Sequence, residues 1–313
     1  NETGAVVAVA PRESDALVVS TDALYYTYGN RLVRSGVSEA LAGLRIRSMD
    51  AVGEGANERI WFGADDGLYQ YKSGSLSRWE LGGGQPVTAL CEVNGTLLVA
   101  LADKLFELDV SLQEERELEF DFGHINGMVR GEGGEAFLAT HVGLVKRSAD
   151  GVYTQYTLSD DDVPSPVLSV VYDSLEGAVA SVGFGVVKLT SAGRVEGVAA
   201  LSGAARSLAV DPVGNVWLGE AYDLTGVYVG TEIGYGEVQP ILQSACMGCH
   251  RVGGQAEWPI AFDDYETAKA YSSLMAAKMY DPVDPMPPLS ASPGLSTGQR
   301  AMLMRWYYGG TQP

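Results

Sequence analysis

The chain is 313 residues long and carries 40 acidic against 21 basic side chains, a formal charge of −19 that makes nucleic acid an improbable partner. No apolar run is long enough to span a bilayer. The length allows two folded domains, and 39 glycines suit a chain with many tight turns.

Residues 1–232 repeat one phrase: an apolar strand, a turn with Gly or Asn, a second strand ending in a small residue, then a Gly-Leu-like pair opening a third strand. The pair recurs as Ala23-Leu24, Gly67-Leu68, Lys104-Leu105, Gly143-Leu144, Gly185-Val186 and Gly226-Val227, at spacings of 44, 37, 39, 42 and 41 residues. A period near forty built from short strands is the signature of an all-β propeller. Six copies predict six blades, with seven as the alternative if a degenerate blade lies around Ser35 to Ile46. Asn1 to Ala10 are expected as an extra strand closing the ring with the last blade. Each blade is covered on both faces by its neighbours, so alternation should blur in the inner strands and stay clear in the outer ones. The copies at 167–173 and 206–219 resemble two-component-regulator and lyase-type propeller repeats, a resemblance that implies fold and little about activity.

Within the body, Cys91 lies in Val87-Thr88-Ala89-Leu90-Cys91-Glu92-Val93 and reads as a buried strand thiol. Asn94-Gly95 reads as a hairpin turn, although Asn94-Gly95-Thr96 also fits a glycosylation sequon. The body's two histidines are His124 and His141. The stretch from His124 to Leu138 resembles part of the quinone-cofactor sugar dehydrogenases, whose histidine removes a hydroxyl proton. That resemblance implies an alternative in which the propeller oxidises a small molecule. The chain lacks the "D-x-x-T-G-x-x-W" repeats of the related alcohol dehydrogenases, and both histidines otherwise read as hydrogen-bonded blade residues.

The end of the chain carries Cys246-Met247-Gly248-Cys249-His250, the C-x-x-C-H signature of covalent haem c attachment. Two thiols form thioethers to the porphyrin, and the adjacent histidine sits under the iron as an axial ligand. A zinc site would need further ligands, and Cys91, His124 and His141 do not have metal-site spacing. The motif follows a predicted helix over Val238 to Ala245 with Pro240 in its first turn. A second helix is predicted within Phe262 to Met279. A third runs from Leu295 to Tyr308, beginning at a Ser296/Thr297 cap and ending at Gly309-Gly310.

Pro240-Ile241-Leu242, the C-x-x-C-H motif, Met286-Pro287-Pro288, Leu303 and Trp306 together resemble the small class I cytochrome c domains of bacteria. The resemblance covers roughly the last quarter of the chain. It implies Met286 as the second axial ligand of the iron. Pro285, Pro287 and Pro288 restrict the backbone on both sides of that methionine. Met247, Met275, Met279, Met302 and Met304 read instead as packing, and Trp306, Tyr307, Tyr308 and Trp258 as walls of the haem pocket.

The expected organisation is a β-propeller over 1–232 followed by a small all-α monohaem cytochrome c domain over 233–313. From Gln239 onward five basic residues meet six acidic ones, which leaves −18 on the first 238 residues. The expected function is electron transfer by one haem c with His250 and Met286 on the iron, and the propeller as a docking scaffold. An electron carrier is expected rather than an enzyme. The expected partner is a redox protein, with a basic surface on it and membership of a larger complex as the open alternatives. Covalent haem attachment in bacteria implies an exported chain, periplasmic or extracellular. The start at Asn1 reads as the mature form.

Overall fold

The computed structural model describes residues 6–313 except 12–15, 21–22, 29–30, 54–57, 102–103, 113, 120, 157–165, 184, 191–192, 201–203, 212–213, 220–223, 229–231, 251–261, 263, 280–285 and 289–293. Trp258, Pro285 and the first five residues therefore lie outside the described residues. The chain divides into two compact units, the first built on 1–172, 178–208 and 219–223, the second on 173–177, 209–218 and 224–313.

The strands form an all-β propeller of antiparallel sheets. The first sheet is β1 (Val6–Pro11), β2 (Ala16–Ser20), β3 (Leu24–Tyr28) and β4 (Arg31–Arg34). The second is β5 (Ile46–Val52), β6 (Arg59–Ala64), β7 (Gly67–Lys72) and β8 (Ser75–Trp79), and the third β9 (Ala89–Val93), β10 (Thr96–Leu101), β11 (Lys104–Asp109) and β12 (Glu114–Leu118). The fourth is β13 (Ile125–Arg130), β14 (Ala136–Thr140), β15 (Gly143–Arg147) and β16 (Tyr153–Tyr156), and the fifth β17 (Val167–Asp173), β18 (Gly177–Val182), β19 (Gly185–Leu189) and β20 (Val195–Ala200). A three-stranded sheet follows, β21 (Ser207–Val210), β22 (Asn215–Gly219) and β23 (Leu224–Tyr228).

Five blades are therefore complete, where the sequence predicted six. The sixth repeat keeps its Gly-Val pair in β23, but only six residues separate Tyr228 from the helix that starts at Tyr235, too few for a turn and a fourth strand. β1 pairs with β2 as the first strand of the first sheet, rather than extending the last one. Ser35 to Ile46 holds a 3-10 turn at Gly36–Glu39, capped by the Ser35 hydroxyl, and no blade.

The Gly-Leu pair has a backbone cause. Gly67 and Gly143 open the third strands of their sheets at φ +140°, a region that residues with a Cβ avoid. A Cβ on Gly143 would also come within 2.6 Å of the Tyr156 carbonyl oxygen on the paired strand.

β10 shows how both faces of a blade are buried. Leu97, Val99 and Leu101 point to one side, into a cluster with Trp61, Leu68 and Leu90. Leu98 and Ala100 point to the other, with Cys91, Ile125 and Leu138. The two-residue period of a strand sorts neighbouring side chains into separate interfaces. Each buried leucine contributes about 1.5–3 kcal/mol relative to exposure. The outer strand β12 (Glu-Glu-Arg-Glu-Leu) is exposed at four successive positions, so the alternation predicted for outer strands is not seen in it.

Among its described residues the second unit contains four helices: α1 (Tyr235–Ala245), α2 (Tyr265–Ala270), α3 (Ser272–Met279) and α4 (Thr297–Tyr308). α1 starts three residues before the predicted helix, because the Glu237 carboxylate accepts the Gly234 N–H at 2.9 Å and caps the earlier turn. Pro240 thus lies inside the helix rather than in its first turn. The predicted second helix is broken at Tyr271, where φ −105° and ψ 7° leave the helical range and the Ser272 hydroxyl donates to the Lys269 carbonyl at 2.8 Å. α4 begins at the predicted Ser296 cap, with Gln299 completing the reciprocal pair. Val238, Leu242, Ala268, Met279, Leu303 and Trp306 form the centre of the helical core.

Candidate functional site

Cys246 is the C-cap of α1, and its carbonyl accepts the N–H groups of Cys249 at 3.2 Å and His250 at 3.0 Å. One turn after the helix therefore gathers the whole C-x-x-C-H motif. Cys246 is partly buried against the helical core, whereas Cys249 is exposed. Burial pushes the Cys246 thiol up to about 11.

The His250 ring lies 5.3 Å from the Phe262 ring, centre to centre. Its Nδ1 is buried and has no hydrogen-bond partner among the described residues. Burial also lowers its pKa, which favours the neutral imidazole that metals require. A half-buried imidazole with an uncommitted buried Nδ1, adjacent to Cys249 and one helical turn after Cys246, fits covalent haem attachment. No group of three or more His, Cys, Asp or Glu that could hold a bare metal ion occurs among the described residues.

The methionines divide by environment. Met275, Met279 and Met304 are buried in the helical core, and Met247 and Met302 pack against it. Met286 differs, being 37% exposed. Its N–H donates to the Lys278 carbonyl at 2.9 Å, tethering its loop to the end of α3. Trp306 is fully buried, donates its indole N–H to the Gln312 carbonyl at 2.8 Å and packs near Tyr235, while Tyr308 is exposed.

His124 and His141 meet in the fourth sheet with ring centres 5.3 Å apart. Cys91 is a buried strand thiol, its pKa raised by burial. Asn94 and Gly95, at φ +48° and +80°, form the expected hairpin turn between β9 and β10.

Three buried charge clusters were not legible in the sequence. Glu92 accepts the Trp61 indole N–H at 2.6 Å and is bound by Arg59, while its own N–H donates to Asp50 at 2.7 Å. Arg130 joins the set through Asp50 at 2.8 Å and the Glu92 carbonyl at 2.6 Å. Burial raises the pKa of Asp50, and Arg130 opposes that rise. The second cluster centres on Glu107, which accepts from Arg147 at 2.9 Å, Tyr153 at 3.1 Å and Arg116. The third lies in the helical unit, where buried Arg305 of α4 reaches Glu176 and Asp173. Charges placed in register on neighbouring blades were the available signal for the first two, but only once the register was known.

No family model and no curated protein sequence matches the chain. Solved structures match over most of it. The extracellular domain of a one-component system from B. thetaiotaomicron is 15% identical with a TM-score of 0.58, covering 72% of this chain and 32% of its own length. Virginiamycin B lyase from Staphylococcus aureus is 8% identical with a TM-score of 0.54, covering 74% of this chain and 86% of its own. YCF48 bound to a D1 peptide is 14% identical with a TM-score of 0.53, covering 72% and 79%. The chain spans about a third of the first of these and most of the other two, and at such identities it shares with all three the β-propeller fold.

Proposed function

We propose that this chain is an exported electron-transfer protein that carries one haem c, with its propeller as a docking scaffold. Cys246 and Cys249 would hold the haem through thioethers, and His250 and Met286 would ligate its iron.

The observation that carries the reading is the turn after α1, which gathers two cysteines and a histidine whose buried Nδ1 has no hydrogen-bond partner among the described residues. Met286 adds to it, as a methionine left out of the core that the other five methionines of the helical unit share. A haem bound between such ligands supplies one reversible electron at a raised potential. The chain's own part is to orient and to shield. α1 fixes Cys246, Phe262 backs the His250 ring, and Pro287 and Pro288 limit the rotations open to the Met286 backbone. The acidic body favours a redox partner with a basic surface.

Intact-mass measurement of the protein produced in a haem-attaching host tests the assignment. A mass increase of one haem, abolished in the Cys246→Ser/Cys249→Ser variant, is expected. An unmodified wild-type chain contradicts it.

A further inference from the structure

We propose that His124 and His141 form a binding site for a divalent transition ion of the zinc type on the fourth propeller sheet. This site stands independently of the haem. The chain has three histidines in 313 residues, and the two outside the haem motif meet here.

The sheet register brings them together. Ile125 pairs with Thr140, so His124 and His141 flank that pair just outside β13 and β14, and the His141 N–H donates to the His124 carbonyl at 3.0 Å. Their ring centres are 5.3 Å apart and their planes 57° apart, so the rings are not stacked. Two imidazoles sharing one tetrahedral ion through bonds of about 2.0–2.1 Å place their ring centres roughly 5 Å apart. The observed separation allows both rings to reach one ion once a nitrogen of each turns toward a common point. Imidazole nitrogen is a donor that suits zinc, copper and nickel over calcium and magnesium.

The backbone on each side is held. The Thr140 hydroxyl donates to the Gly143 carbonyl at 2.8 Å and accepts from the Val142 N–H at 3.3 Å. The Gln155 amide donates to the Val142 carbonyl at 2.8 Å. Little main-chain order remains to be lost on binding. His141 is exposed and His124 half-buried, so an ion can enter from solvent. No third His, Cys, Asp or Glu completes a cluster with them among the described residues. Two coordination positions are therefore left to water or to a side chain of a bound partner.

The test is calorimetric titration of the untagged full-length chain with zinc chloride alone, in the Cys246→Ser/Cys249→Ser background so that the cysteines cannot contribute. One ion per chain is expected, with affinity reduced at least about tenfold by His124→Ala and by His141→Ala separately. Thermal unfolding of each variant checks that the fold is kept. Absence of zinc binding, or binding that persists in the His124→Ala/His141→Ala double variant, overturns the proposal.

Discussion

The Arg305 guanidinium meets the Glu176 carboxylate at 2.9 Å, across 129 residues of sequence and with both side chains buried. Asp173 lies 2.7 Å from the other terminal nitrogen of the same guanidinium, in an ion pair whose N–H direction misses the oxygen. Asp173 also accepts the N–H groups of Leu175 and Glu176, at 2.9 and 2.8 Å, which shapes the turn that carries both carboxylates.

Removing one partner of a buried pair leaves an uncompensated charge. Arg305→Ala is expected to destabilise the protein by about 3–5 kcal/mol in urea unfolding. Adding Glu176→Gln should recover part of that loss, because one of the stranded carboxylates is then neutral. Equal stability of Arg305→Ala and wild type would mean that the pair contributes nothing.

Glu107 predicts a pH dependence. Burial alone would raise its pKa, but hydrogen bonds from Arg147, Arg116 and Tyr153 outweigh that and hold it below its ordinary value of 4.5. A folded-state pKa below the unfolded one contributes stability above the unfolded value, and that stability is lost as the pH falls through the folded value. The stability difference between wild type and Glu107→Gln should thus be full near neutrality and shrink below about pH 4. Urea midpoints measured at both ends check it, and a pH-independent difference would contradict the assignment.

Gly63 of β6 sits against Ser48 and Val87, and a Cβ there would lie 2.6 Å from a Val87 methyl carbon. Gly63→Ala should cost about 1–3 kcal/mol through overpacking. A thermal midpoint unchanged from wild type would show that β5 and Val87 yield without strain.

Thiol counting separates the haem reading from its absence. The chain has three cysteines, of which Cys91 is buried and Cys249 exposed. If Cys246 and Cys249 are thioethers, Ellman's reagent finds no reactive thiol in the native protein and one after denaturation. A rapid reaction in the native protein would mean that Cys249 is free.

The repeats were legible because their Gly-Leu pair answers a backbone demand, φ +140° at Gly67 and Gly143, that leaves a mark in composition. The end of the propeller was not legible, since the sixth repeat keeps its third-strand pair while the chain turns to helix at Tyr235. Ser296 was readable as a cap because capping is local. Arg305, Glu92 and Glu107 were not, because each acquires its partners from distant segments. The C-x-x-C-H motif was plain from five consecutive residues. Met286 came from resemblance, and the structure adds that it stands apart from the packed methionines.

The central claim is tested most directly by absorption spectra of the protein from a haem-attaching host, oxidised and then reduced, scanned into the near infrared. His250/Met286 ligation predicts a low-spin c-type spectrum with the weak sulfur-to-iron band, and Met286→Ala should lose that band while keeping the covalent haem. A wild-type protein without the sulfur band, or a Met286→Ala spectrum identical to wild type, would contradict the account.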